Sequence, residues 1–453
     1  MNRTHLKLLA EIFPGQSMTV QPAEMLIYGT DAGKRFSMPQ AVVRPERTEQ
    51  VQELMRIAQQ ERIPVVTRAR GTNVVSACVP HQGGIVLSCL QMNKIISINS
   101  DDFTAHVQPG VVTHDLQQEV LKKGLLYPPD PASKKFCTIG GNIATNAGGM
   151  SAVKYGVTKD YVLGLEAVLP GGEIIKTGGR VHKNVVGYDL TKLLTGSEGS
   201  LGVIVKACLK LLPAPEASAS ILACFEDEAD ALQGVRAVFR AGILPCAMEF
   251  MPLEVMRCLS EYGPVPWPGK AAACLIIRLD GSGPCVEQEV QKVRVTLKDV
   301  LYFDMAMGEE EEHIWEVRRL INPASFNLGP DKVSDDVVVP RGEILVAIKG
   351  IRMIARKFDL NILAFGHIGD GNIHVNFMHD KSIEGQQQRV SSAREEVLRL
   401  VLDLGGSISG EHGVGLSKKE YLSWQLGAKE QQIMRDIKKV FDPHNILNPG
   451  TGV

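Results

Sequence analysis

Two histidines seven residues apart, His367 and His374, flank the stretch Ile-Gly-Asp-Gly-Asn-Ile, and a Glu-His pair, Glu411-His412, follows between Gly410 and Gly413. Asp-Gly between two alternating runs is a strong short-range hairpin signal. Taking Asp370-Gly371 as a two-residue loop pairs Gly369 with Asn372, Ile368 with Ile373 and His367 with His374. The two imidazoles then stand opposite each other on one face, Cβ atoms ~5 Å apart. The period of two puts Asn372, His374 and Asn376 on that polar face and Ile373, Val375 and Phe377 on an apolar one. Two imidazoles and one carboxylate suit zinc, iron or manganese rather than calcium, whose ligands are oxygens. Glu411 is the candidate third ligand, because its flanking glycines let the backbone come close. The competing reading is a hydrogen-bonded histidine pair at the mouth of a hairpin, with no metal.

The elements that must position these residues belong to a chain of 453 residues, long enough for two or three domains. A formal net charge of −2 gives no reason to expect a nucleic-acid partner. Nine cysteines without a C-x-x-C pair argue against an iron–sulfur cluster, a zinc ribbon or a disulfide scaffold, and fit a reducing cytoplasm. No uncharged apolar run is long enough to span a membrane, and the first residues lack the apolar core of a signal peptide. Membrane attachment would therefore come only through a partner.

Apolar spacing predicts helices near 47–62, 228–241, 286–300, 309–322, 341–358, 384–404 and 428–440. Strands are expected near 64–67, 84–90, 94–99, 161–169, 173–177, 220–225, 273–280, 336–339, 361–367 and 373–378. The composition changes at Pro213-Ala-Pro215. The expected fold is α+β, with helices on one face of an antiparallel sheet in the second half.

Glycine is abundant, at 44 residues, and clustered. The loop of Arg70, Gly71, Thr72 and Asn73 could expose successive backbone N–H groups to a phosphate, or be a tight surface turn. Thr138–Gly149 contains two Gly-Gly pairs, which a helix or strand would carry at a cost of ~1 kcal/mol per glycine, so close approach of backbone to a ligand is the favoured reading. A third loop is Gly196-Ser-Glu-Gly-Ser-Leu-Gly202. None matches a Rossmann or P-loop fingerprint, so a nicotinamide dehydrogenase is not supported.

Thr138–Gly149, Lys154–Val157, Gly187–Leu190 and Gly196–Gly202 resemble the FAD domain of the vanillyl-alcohol oxidase/p-cresol methylhydroxylase (PCMH) fold. His367–Asn376, Glu411-His412 and Asn448-Pro449-Gly450 resemble the branch that contains the catalytic chain of glycolate oxidase, D-lactate dehydrogenases and D-2-hydroxyglutarate dehydrogenase. The resemblance implies an N-terminal helical segment over 1–37, a two-subdomain PCMH-type FAD domain over 38–213 and a substrate or cap domain over 214–404. That second domain would carry an antiparallel sheet flanked by helices. Residues 405–453 would return to the flavin site. Gly71, Thr72 and Asn73 would hold the pyrophosphate of FAD. Pro129, Asp130, Gly140, Gly141, Asn142, Asn146, Gly148 and Val203 would line the rest of the cofactor. His367, His374 and Glu411 would bind a divalent metal and His412 would be the base. Asn376 would contact the substrate or support the site. Arg318 and Lys332 resemble the contacts to the substrate carboxylate, with Arg319 a rival for the first.

In two places the chain departs from the family pattern. Val74-Val75-Ser76-Ala77 replaces the usual further glycines, implying a less open loop, and Thr451 stands where relatives carry lysine. No histidine or cysteine lies beside Gly71, so the flavin is expected to be non-covalent. The implied activity is oxidation of a small D-2-hydroxy acid to the 2-oxo acid, with electrons passed to an iron–sulfur subunit or an electron-transfer flavoprotein. The alternatives are a non-redox transferase of the alkyl-dihydroxyacetonephosphate synthase type and a non-catalytic FAD relay subunit.

Overall fold

The computed structural model describes residues 1–33 and 35–452. The chain forms two units from interleaved segments: Met1–Gly148, Val157–Ala214 and Glu411–Val453 make the first, Gly149–Gly156 and Pro215–Gly410 the second. The architecture is α+β throughout. Among the described residues, no helix is long and apolar enough to cross a membrane.

The first unit opens on a mixed sheet in the order Met18–Thr19, Ala41–Val43, Ile85–Ser88, Val65–Arg68, whose last two ladders are parallel. Its parallel strands need a crossover, and the helix Thr48–Glu61 supplies one. That helix buries Val51, Leu54, Met55 and Ala58 at the spacing read from the sequence. A second, antiparallel sheet runs Ile95–Asn99, Thr104–Val107, Val203–Lys210, Val162–Val168, Ile174–Gly178. Its hairpin turns over Pro170-Gly171-Gly172, with Val168 opposite Ile174 and Gly172 at φ +84°. The strand Thr104–Val107 is too short to declare itself by alternation. The C-terminal segment completes this unit: Val65 N donates to Ile446 O, and Thr67 N donates to Asn448 Oδ1, both at 2.8 Å.

The second unit holds a seven-stranded antiparallel sheet. Its strands are β1 (Ala217–Phe225), β2 (Ala247–Pro252), β3 (Ala273–Gly281), β4 (Val300–Met307), β5 (Asp331–Val338), β6 (Asn361–His367) and β7 (Asn372–His379). Their order is β4-β1-β3-β2-β6-β7-β5. Two of these strands were not expected. β2 is a short apolar run without alternation, and β4 follows so closely on the helix Gly283–Thr296 that its first residue reads as the end of that helix.

Helices cover both faces of this sheet, not one. On the first face, Leu222, Met251, Ile276, Leu363 and Phe365 pack with Val255, Leu259, Ile314, Trp315 and Ile321 of the shorter helices. Phe225 and Leu275 point the other way and meet Gly234 of the helix Glu228–Arg240. Cys224 and Cys274 sit opposite each other on β1 and β3 and are joined by a disulfide, which the scattered spacing of the cysteines does not foretell. The short excursion 149–156 belongs to this unit because Lys154 Nζ donates to Asp280 O and Tyr155 Oη donates to Asp280 Oδ2, each at 2.8 Å.

Candidate active site

The hairpin of β6 and β7 departs from the register expected of it. Phe365, not His367, stands opposite His374, and the turn holds the four residues 368–371. The reason is competition from β2. Glu249 takes His367 as its cross-strand partner, and Gly369 N donates to Met248 O at 3.3 Å. Gly369 also lies so close to Val153 that an added Cβ would sit 2.8 Å from its side chain. The end of β6 is thus held by the neighbouring strand before the hairpin can close. A slip of one residue would have turned His367 to the opposite face. The slip is two, so the face is kept and the pairing becomes diagonal. The two Nε2 atoms lie 3.3 Å apart, with ring centroids at 5.0 Å and planes at 86°.

That spacing matches a shared ion: two nitrogens each ~2.05 Å from one tetrahedral metal stand about 3.3 Å apart. Glu411 is the residue at which the chain leaves the second unit. It is peptide-bonded to Gly410, whose N–H donates to Asp336 Oδ2 at 2.8 Å, and Asp336 is the cross-strand partner of His374. Within the second unit, His367 and His374 thus offer two ligand nitrogens at that spacing. The donor chemistry and spacing therefore fit a divalent metal.

The same face of the sheet carries the other polar side chains. Ser334 stands opposite Asn376, and its hydroxyl donates to Asn376 Oδ1 at 2.6 Å. Lys332, on the same strand, donates to Asn322 Oδ1 and lies over the Phe326 ring. Arg318, from the helix Glu312–Arg319, donates from Nε to Glu249 Oε2 at 2.6 Å and stacks on Phe365 with its Cζ 4.9 Å from the ring centre. Arg319 instead pairs with Glu312 on an exposed surface, so of the two rivals only Arg318 joins this face. Burial alone would raise the pKa of Glu249, but His367 and Arg318 together hold it far below the ordinary carboxylate range. Sequence reading missed Glu249, although a single acid inside the apolar run Ala247–Pro252 is the available signal.

In the first unit, Arg70, Gly71, Thr72 and Asn73 follow the strand Val65–Arg68. Among the described residues, nothing accepts a hydrogen bond from their four backbone N–H groups. Consecutive unspent donors on an accessible loop fit the pyrophosphate of a dinucleotide. Gly71 has φ +67°, and an added Cβ would lie 2.2 Å from Arg68 Nη2. Beyond Val74 the loop closes: Ser76, at φ +63°, donates its N–H to Asp31 Oδ2 at 2.7 Å. Asp31 also went unnoticed in the sequence, where nothing near it marks it out.

Several other residues expected to face the cofactor have partners within the protein. Asn73 Nδ2 donates to His412 O at 2.7 Å, and Val75 N donates to Asn73 Oδ1 at 2.8 Å. Gly140 and Gly141 lie in the helix Ile139–Thr145, which the glycine content argued against. A Cβ on Gly140 would sit 2.4 Å from Pro109 Cβ, which is the packing reason for that glycine. Asn142 is buried and donates to Thr113 Oγ1 at 2.7 Å. Asn146 ends the helix at φ +51° and accepts from Lys159 N. A Cβ on Gly148 would come 3.0 Å from Glu411 Oε1. Pro129 O accepts from Gln117 Nε2, Asp130 pairs with Lys134, and Val203 is buried where its strand begins. Glu198, buried in the third glycine loop, accepts from Val414 N at 2.7 Å and Gly415 N at 2.9 Å, and so holds the segment that follows His412.

Comparison with known proteins defines the class, a flavin-linked oxidoreductase. A family model described as the FAD binding domain matches residues 39–178, and one described as FAD linked oxidases, C-terminal domain, matches 214–451. The chain belongs to this family of FAD-linked oxidases. It is 42% identical over 432 residues to glycolate oxidase subunit GlcD of Bacillus subtilis (strain 168), covering 94% of this chain and 92% of that one. It is 37% identical to D-lactate dehydrogenase of Anaerostipes hadrus, covering 94% and 91%. In structure it is similar to p-cresol methylhydroxylase, with a TM-score of 0.81 at 19% identity, covering 99% of this chain and 96% of the other.

Proposed function

We propose that this protein oxidises a small D-2-hydroxy acid of the lactate or glycolate type to the 2-oxo acid. FAD is held non-covalently by the first unit, Met1–Gly148, Val157–Ala214 and Glu411–Val453. The substrate lies on the domain over 214–404. The observation that carries this reading is the polar sheet face on which His367, His374, Asn376, Lys332 and Arg318 gather within one unit. A face of that kind suits an acid bearing a neighbouring hydroxyl. The named relatives act on acids of this class.

His367, His374 and Glu411 would hold a divalent zinc, iron or manganese ion. When bound, the metal lowers the pKa of the substrate hydroxyl and the flavin takes up two electrons at N5. Arg318, already oriented by Glu249, presents its remaining guanidinium donors to a carboxylate, and Lys332 adds a second positive charge. Asn376 spends its carbonyl on Ser334, which leaves its amide donors for a substrate oxygen. His412 accepts the hydroxyl proton. A bound flavin would supply the acceptor for the Cα–H electron pair as the carbon–oxygen double bond forms. The backbone of His412 is held by Asn73.

A panel of 2-hydroxy acids in both enantiomers, scored by anaerobic flavin bleaching with and without EDTA, tests this reading. One or more small D-acids should bleach the flavin, and EDTA should slow them by at least about tenfold. Bleaching that ignores EDTA sinks the metal, and an unbleached flavin across the panel sinks the substrate class. The electrons accepted by a bound flavin would leave to an iron–sulfur or flavin partner. Full turnover of the purified chain with oxygen alone would remove the need for that partner.

A further inference from the structure

Glu249 is fully buried, yet it lies on a strand of otherwise apolar residues and nothing in the reaction above uses it directly. Both of its oxygens are engaged. Oε1 accepts from His367 Nδ1, and Oε2 accepts from Arg318 Nε at 2.6 Å. The contact to His367 is fixed by the sheet itself, because Glu249 and His367 are cross-strand partners on β2 and β6. A buried carboxylate without partners costs several kcal/mol, so this position tolerates an acid only while both donors are in place.

The consequence appears at the far edge of the imidazole. A carboxylate can only accept, so Nδ1 must carry the proton. A neutral imidazole has one N–H, so with Nδ1 protonated Nε2 is the acceptor nitrogen, 3.3 Å from His374 Nε2. The second oxygen does for Arg318 what the first does for His367: it fixes the rotation of a planar group.

We infer that Glu249 is a positioning residue that locks His367 as a metal ligand and Arg318 as a carboxylate clamp, coupling metal and substrate binding through one side chain. This rests on the proposed metal-assisted oxidation. In Glu249→Gln the amide has one acceptor for two donors. Its NH2 group must face either the Nδ1–H of His367 or the Nε–H of Arg318, so one contact becomes repulsive.

The test uses full-length, FAD-loaded protein stripped with EDTA and titrated with Zn2+ or Mn2+ against a competing chelator. Wild-type protein should bind one ion, and Glu249→Gln should bind it about 10–100-fold more weakly while the flavin stays bound. At saturating metal, the KM of the variant for its best 2-hydroxy acid should also rise severalfold. Equal metal affinity in the two proteins overturns the role of Glu249 while leaving the metal reading intact. An unchanged KM at saturating metal overturns the coupling. No ion bound by wild-type protein overturns the metal reading, and this inference with it. If Glu249→Gln does not fold, 15N-histidine spectra of the wild-type protein decide. His367, assigned by its loss in His367→Gln, must carry its proton on Nδ1 before and after metal is added; a bare Nδ1 overturns the assignment.

Discussion

The sheet face of the second unit and the glycine loops of the first use their residues in opposite ways. On β5, β6 and β7, the proposed function falls to side chains, and parity of register decides which of them share the face. In the loops around Gly71 and Gly148, what would be offered to the proposed cofactor is backbone, while side chains such as Asn73, Asn142 and Glu198 bond within the protein. A side chain on a regular face can be assigned from spacing. A side chain beside a backbone cradle cannot, because its partner may be anywhere in the chain.

The contrast can be broken by substitution. The largest effect is expected on the sheet: His374→Ala should slow substrate-driven flavin reduction by about 10^3-fold or more, given the several kcal/mol that a metal contributes. FAD should remain bound, and stopped-flow absorbance reads both quantities. His412→Asn should cost about 10^2-fold or more in the same rate, again with flavin retained. If either change expels the flavin instead, the two regions do not divide the labour as described.

In the loops the expected loss is of affinity rather than rate. Gly71→Ala meets both a left-handed φ and the Arg68 guanidinium. A strain of about 1–2 kcal/mol should weaken FAD binding roughly tenfold, measured by fluorescence of released flavin. An unchanged affinity would mean that the loop does not cradle the cofactor. The smallest contrast is between two neighbours on one helix. Arg318→Ala should raise the KM for the acid about tenfold, as expected for loss of a charge-assisted hydrogen bond. Arg319→Ala should leave KM unchanged and stability within about 0.5 kcal/mol of wild type. Equal effects would return Arg319 to contention.

The long helices and most strands were legible because their apolar spacing survives in the folded protein, as in Val51, Leu54, Met55 and Ala58. The shared face of His367 and His374 was legible for the same reason, although the turn was not. Its length is set by Met248 and Glu249, more than a hundred residues earlier in the chain, and no local pattern reports such a competitor. The glycine of Gly140 was read as a ligand cradle when it also answers to Pro109. Glu249 itself is visible in the sequence only as an exception to hydrophobicity, and exceptions acquire meaning once their partners are known.

The interleaving of segments also sets an order of completion during synthesis. Residues 149–156 emerge before 215–410, so the second unit has all its parts once Gly410 has been made. The first unit waits longer. Val65 and Thr67 bond to Ile446 and Asn448, and Glu198 holds the segment 414–415. A ribosome must have made Asn448 before these are available, so the first unit, begun first, is the last to close.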